Sequence, residues 1–262
     1  MLTQEEIKQY NELGYVIPRK FKLESEVLMG LQRALEFVLK TNPEIPPDRI
    51  MNPHLNGAKP YGVKGHKRFN ELVHSEIILE MAADVMGSDL ILLFTHLFCK
   101  NSKSTRVVPW HQDGPFWPVK PMKSCTVWVA LDDVDKENGA MKVIPRSHLG
   151  KALNHNLITD PNSTLNRELP ALDVDEHSSE YVELEAGQVS IHDIGIIHSS
   201  AANSSGRRRA GLALRFMPSC CHMFRTMPDA AASWEDMPME LVSGINIHPG
   251  NNFSLGDFGE PW

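Results

Sequence analysis

The apolar pattern of this chain changes period near residue 88, and that change limits the folds open to it. Before that point apolar residues recur at spacings of three and four. Ile7, Tyr10 and Leu13 make one such face, closed by Gly14. Thr3, with Glu6 three residues on, is a capping-box signature that predicts a helix over 3–12. Tyr15 to Pro18 reads as a short strand. Val27, Leu28, Leu31, Leu35, Val38 and Leu39 predict the longest helix, over 23–39, and another is expected over about 70–86, ahead of Gly87. From Leu90 onward the apolar runs are short and bounded by Gly, Pro, Asn or Asp: 90–99, 126–131, 141–144, 182–184, 189–192, 196–198 and 210–216. Helices followed by many short strands predict one α+β domain over 1–262. Its helical part covers about 1–88 and its sandwich or barrel about 89–217, and an irregular C-terminal tail wraps the surface. Segment 41–68 has no sustained period. It is expected to be a functional loop, with His54, Asn56, Lys59, Tyr61, Lys64, His66 and Lys67 placed to close over a site.

Charge and cysteine usage narrow the partners. There are 26 Lys and Arg against 33 Asp and Glu, a formal net charge of −7, whereas a nucleic-acid binder shows a basic excess. No apolar run approaches the ~18 residues of a transmembrane helix, and the polar start MLTQEEIKQY lacks a secretory pattern. Four cysteines without a CxxC pair point to a reduced, cytoplasmic setting and away from a cysteine zinc site. The expected partner is a small molecule, not nucleic acid or membrane, and the protein a monomer or homodimer.

Trp110-His111-Gln112-Asp113 contains His-x-Asp. In extended chain, residues i and i+2 point to one side, so an imidazole and a carboxylate can share a metal. That pattern alone is common by chance. His198 adds a second imidazole after an apolar strand, a turn at Gly195 and another apolar strand. Eleven residues later Arg209 opens a strand whose alternation separates Arg209, Gly211, Ala213 and Arg215 from Ala210, Leu212, Leu214 and Phe216. The second set is a core face. The first, two cations among small residues, suits a cavity wall that binds an anion; an exposed strand face would carry Thr, Lys or Glu there. Two His and one carboxylate with open positions form the facial triad of non-haem Fe(II) oxygenases. A bidentate 2-oxo acid takes two of the open positions and O2 the third, and Arg matches a distal carboxylate. Trp128 shares a strand side with Thr126 and Ala130 and is placed to wall the site. Phe116 and Trp117, just past Asp113, are candidate substrate or lid residues, and Arg215 a candidate contact for a second anionic group. His192 rivals His198 as second ligand but lacks its spacing to Ser200 and Arg209. Two other chemistries share these ligands. One is a sensory or non-catalytic barrel that binds metal and 2-oxo acid without turnover. The other is a zinc hydrolase, which lacks a positioned base and leaves Arg209 unexplained.

The ordered segments Trp110–Asp113, Val127–Val134, Glu137–Met141, Ile144–His148, His198–Ser200 with Asn203-Ser204, and Arg209 resemble the phytanoyl-CoA dioxygenase family of Fe(II)- and 2-oxoglutarate-dependent oxygenases. The opening, Leu2–Glu5 to Gly14–Val16, is also similar, so the resemblance spans roughly 2–217. It implies a double-stranded β-helix, a jelly-roll or cupin-like barrel, with N-terminal helices packed on one side. It implies His111, Asp113 and His198 as iron ligands and Arg209 as partner of the distal carboxylate of 2-oxoglutarate. Ser200 would assist Arg209, with Trp128 and His96 as co-substrate contacts. Halogenating members carry a small residue where Asp113 stands. The implied reaction is therefore hydroxylation of a small polar metabolite with O2, releasing succinate and CO2.

Overall fold

The computed structural model describes residues 1–58, 63–226, 234–235 and 237–253; the loop candidates Lys59 and Tyr61 lie outside them. Helix α1 (Gln4–Leu13) begins at Thr3, whose hydroxyl accepts the Glu6 amide at 3.2 Å while the Glu6 carboxylate accepts the Thr3 amide at 2.8 Å. Two amides that the helix itself leaves open are thereby satisfied. The helix stops at Gly14, whose φ of +81° is left-handed backbone that a side chain resists. Helix α2 (Ser25–Thr41) buries Leu31, Leu35 and Val38 of the stripe its spacing indicates, together with Ala34, while Val27 at its first turn stays exposed. The single helix expected over 70–86 is instead two, α3 (Lys67–Val73) and α4 (Glu76–Met86). The break falls at His74-Ser75, where the Ser75 hydroxyl donates to the Leu72 carbonyl at 2.7 Å and competes with helical continuation.

Eight strands form the barrel, in chain order Leu90–Lys100, Val108–His111, Cys125–Ala130, Met141–Ile144, Glu180–Val182, Val189–Asp193, Ile197–Ser200 and Arg209–Pro218. The larger sheet places them sixth, third, eighth, first, and the smaller one fifth, fourth, seventh, second, with every neighbour antiparallel. Strands one to four alternate between the sheets, and so do strands five to eight, which is the topology of a double-stranded β-helix. Alternation splits the larger sheet as the sequence indicates. Val127, Val129, Leu212, Leu214 and Phe216 join Leu31, Leu35, Phe69, Ile78 and Met81 of the helices in one buried cluster. Truncating one such residue to Ala removes about 2–5 kcal/mol. The opposite face of the sheet is left for the cavity.

Three outer segments extend the larger sheet. Tyr15–Val16 lies beside Val189–Asp193, and Ile50–Met51 and Glu240–Ser243 both pair with Leu90–Lys100. The last of these corrects the expectation of an irregular tail. Trp234, Met237 and Met239 bury against Ile91, Leu93 and Phe94, which draws the chain back to the sheet edge and supplies Glu240–Ser243 as a strand. No helix among the described residues is long and apolar enough to cross a membrane.

Candidate active site

Strand register writes out the inner wall of the larger sheet row by row. Lys100 faces Arg209 across the ladder. The next row is Phe98, Gly211 and Ala130; then His96, Ala213, Trp128 and Ser190; then Phe94, Arg215, Thr126 and His192. Between this wall and the smaller sheet lies a cavity of about 450 Å³. The residues expected around the metal and co-substrate motifs line it: His96, His111, Asp113, Phe116, Trp117, Trp128, His198, Ser200, Arg209 and Arg215. The small residues between the arginines have a specific reason. A Cβ on Gly211 would lie 2.0 Å from the Trp128 ring, so glycine is what lets that indole lie across the wall.

His111 and His198 are direct cross-strand partners on the smaller sheet, with ring centroids 4.1 Å apart. Each is held the same way. His111 Nδ1 donates to the Pro109 carbonyl at 2.8 Å and His198 Nδ1 to the Ile196 carbonyl at 3.0 Å. A carbonyl only accepts, so Nδ1 carries the proton and Nε2 keeps its lone pair for a metal. The strand ends at His111, and Asp113 opens a short 3₁₀ turn, Gly114–Phe116, rather than continuing extended. Its carboxylate still converges: Oδ1 is 3.5 Å from His111 Nε2, and Oδ2 is buried without a hydrogen-bond partner. One donor atom from each of the three lies within 4.8 Å of the others. An orphaned carboxylate oxygen beside two imidazole lone pairs fits a divalent metal. Burial raises the Asp113 pKa, but the adjacent His111, His198 and Arg215 outweigh it and hold the carboxyl well below its usual range. Burial and His111 push His198 well below its usual value, so this imidazole is neutral and ready to ligate at pH 7.

Gln112, between the two ligands, fixes their segment. Its amide group donates to the Gly195 carbonyl at 2.7 Å, its side-chain oxygen accepts the Leu153 amide at 2.9 Å, and its backbone N–H donates to His155 Nε2 at 3.0 Å. His155 also packs on Phe116 with centroids 5.0 Å apart.

At one end of the cavity, Arg209 Nη2 donates to Ser200 Oγ at 2.7 Å and to the Gly139 carbonyl at 2.6 Å, and its buried Nε has no partner. Lys100 Nζ donates to the same hydroxyl at 2.8 Å, to the Ser200 carbonyl at 3.0 Å and to the Ala201 carbonyl. Two buried basic side chains thus share one serine. Burial pulls Arg209 down to about 10, still cationic at neutral pH. Burial and the neighbouring Arg209 pull Lys100 down to about 6. Lys100 gives no periodicity signal of its own; its signal is that it pairs with Arg209 in the ladder.

At the other end, Arg215 lies 4.6 Å from the centroid of Phe94, 5.4 Å from Trp117 and 5.7 Å from Phe98. His96 occupies the wall between the two ends; its Nε2 donates to the Asp48 carbonyl at 3.0 Å and its ring stacks on Phe98 at 3.8 Å. His192 is near the metal set, 5.1 Å from the His198 ring, yet it stands outside the three converging donors. It is a wall residue. Of the loop candidates, His54 is buried against Thr95 Oγ1 at 2.7 Å rather than facing the cavity.

Comparison with known proteins agrees with this geometry. A profile of the phytanoyl-CoA dioxygenase (PhyH) family matches residues 10–211. A probable alpha-ketoglutarate-dependent hypophosphite dioxygenase from Stutzerimonas stutzeri is 28% identical over 170 residues, 64% of this chain and 56% of that protein. The chain therefore spans little more than half of that relative. A phytanoyl-CoA dioxygenase domain-containing protein 1 homolog from Dictyostelium discoideum is 24% identical over 257 residues, covering 82% of this chain and 91% of its own. The non-heme monooxygenase ThoJ, solved without ligand, superposes with a TM-score of 0.72 at 25% identity, over 91% of this chain and 84% of that one. The epimerase SnoN, solved with Fe3+, alpha-ketoglutarate and nogalamycin RO, shares the fold with a TM-score of 0.65 at 20% identity, over 88% and 91% of the two chains. The profile match runs through both sheets, the His111-x-Asp113 and His198 segments and Arg209, and the chain belongs to the phytanoyl-CoA dioxygenase family.

Proposed function

We propose that this protein hydroxylates a small polar or anionic molecule, consuming O2 and 2-oxoglutarate and releasing succinate and CO2. One observation carries the reading. The His111-Asp113-His198 set and the Arg209–Ser200 pair open into one cavity. In this reading the three donors hold Fe(II), and Arg209 with Ser200 receives the distal carboxylate of 2-oxoglutarate. Lys100 adds a second donor at that carboxylate, and Trp128 covers the co-substrate's flank. Bound iron and 2-oxoglutarate supply the oxidising power. The protein's part is orientation and exclusion of water. The Pro109 and Ile196 carbonyls fix the imidazoles, Gln112 fixes the ligand segment, and Phe116 and Trp117 cover the metal side of the cavity. A carboxylate at position 113 leaves no ligand position for a halide, which favours hydroxylation.

A zinc hydrolase fits less well. Asp113 is the one carboxylate among the described residues lining the cavity, so none remains to act as base. A sensory role without turnover is separated by succinate formation. From its four free cysteines we place the enzyme in the cytoplasm, as a monomer or homodimer. The test is anaerobic addition of Fe(II) and 2-oxoglutarate, which is expected to give a weak visible charge-transfer band. Arg209→Met should weaken 2-oxoglutarate binding on the order of 100-fold, the loss of charged hydrogen bonds worth about 1.5–3 kcal/mol each. A full-strength band in that variant, or succinate formed without iron, would overturn the proposal.

A further inference from the structure

The fourth row of the cavity wall holds an accumulation of buried polar atoms that the proposed chemistry leaves idle. Arg215 is only 6% exposed, and its Nε and Nη1 have no hydrogen-bond partner among the described residues. Its cross-strand neighbour Thr126 has an unpartnered Oγ1, and His192, opposite Thr126, has an unpartnered Nδ1. Ser190 Oγ, in the adjoining row, is unpartnered as well. A buried polar atom without a partner costs about 1–3 kcal/mol and a buried charge more. Four residues left this way on one patch of a cavity wall point to a ligand that completes them.

Charge states what kind. Arg215 is a buried cation of this wall with aromatic rings packed against it and no ion pair among the described residues, Asp113 acting on it through charge alone. It also lies six residues past Arg209, about 20 Å of extended chain away, so one co-substrate carboxylate cannot serve both. It falls beyond the segment matched by the family profile, which ends at 211. The remaining walls at this end, Phe94, Trp117, Trp234 and Met237, are apolar.

We propose that Arg215, with Thr126 and His192, is an oxyanion subsite for the substrate, which therefore carries a carboxylate or phosphorus oxyanion on a compact apolar body. The guanidinium supplies two parallel N–H donors and the threonine hydroxyl a third, while the rings exclude water and strengthen the pairing. The inference rests on the dioxygenase reading only in calling the anion's bearer the substrate. Anion binding itself is measured without turnover.

The probes are benzoate, phenylphosphonate and the uncharged isostere benzamide, titrated by calorimetry under argon into protein saturated with Fe(II) and 2-oxoglutarate, and again into protein without either. At least one anion is expected to bind tenfold or more tighter than benzamide, and the order of the two anions tells carboxylate from phosphorus oxyanion. Arg215→Met should bring anion and amide within about twofold of each other, with 2-oxoglutarate affinity changed less than threefold. Thr126→Val, which deletes no charge, should narrow the preference about threefold and stands in should Arg215→Met not fold. Equal or absent binding of anion and amide by the wild type overturns the proposal. So does a preference that survives both variants, or one lost with Arg209→Met instead, which would put the anion at the co-substrate end. If 2-oxoglutarate fails to bind but the anion preference persists, the dioxygenase reading falls and the subsite stands.

Discussion

Replacing Lys100 with methionine keeps the length of the side chain and deletes its charge. Lys100 is 2% exposed and donates to three oxygens, yet burial and the adjacent Arg209 pull its pKa from an ordinary 10.5 to about 6. Between those two values the unfolded chain holds a proton that the native protein lacks. Stability therefore rises with pH across this window, by about 1.4 kcal/mol per pH unit, and is lost as pH falls toward 6. Above 10.5 the two states bind the same number of protons and the effect is spent. Lys100→Met removes the linkage. The variant should be more stable than the wild type at pH 7, and its advantage should shrink by about 2.7 kcal/mol between pH 7 and pH 9. Urea denaturation of both proteins at pH 7, 8 and 9 reads this directly, provided the m-values stay equal. An advantage that is constant or grows with pH would show that the lysine is charged in the native state throughout, and would refute the reasoning. A carboxylate brought beside Lys100 restores its proton. Calorimetric titration of 2-oxoglutarate in two buffers of different ionisation enthalpy should therefore show proton uptake near pH 8, absent in the variant.

Gly211→Ala sets a Cβ 2.0 Å from the Trp128 ring and must displace it; a stability loss of about 1–3 kcal/mol is expected, with weaker 2-oxoglutarate binding, read by urea denaturation and the charge-transfer titration. Asp113→Ala removes the one carboxylate of the metal set; the variant should retain no stoichiometric iron after anaerobic dialysis, measured by metal analysis, while its near-ultraviolet dichroism stays native. His155→Ala takes the acceptor from the Gln112 amide, 3.0 Å away; a loss of about 1 kcal/mol and a several-fold weaker hold on iron are expected, and unchanged metal affinity would remove His155 from the site's support.

Much of the site was legible because its residues obey simple periods. Alternation along 209–216 separates wall from core, and that split depends only on the pleat of a strand. The helical stripe of α2 and the cap at Thr3 are equally local. What escaped notice depends on partners far away in sequence. Lys100 acquires meaning only when the ladder sets it against Arg209, and His155 only when a loop 43 residues on reaches Gln112. His192, the rival that spacing sets aside in favour of His198, stands on a strand of the opposite sheet. The tail looked irregular because Met, Pro and Gly carry no strand period; burial of Trp234 and Met237, not propensity, brings its strand home. The break between α3 and α4 rests on one serine hydroxyl, below what apolar spacing reports.

The wall's construction in cross-strand rows bears on how such a barrel acquires new chemistry. Lys100 and Arg209 occupy one row, Phe94, Thr126, His192 and Arg215 another, with Gly211 and Ala213 as spacers between them. Under the proposed assignment, drift in the outer row would exchange one recognised compound for another while leaving the Arg209 row in place. A lineage built on this chassis can diversify its chemistry one row at a time, and directed evolution of the enzyme should begin at positions 94, 126, 192 and 215.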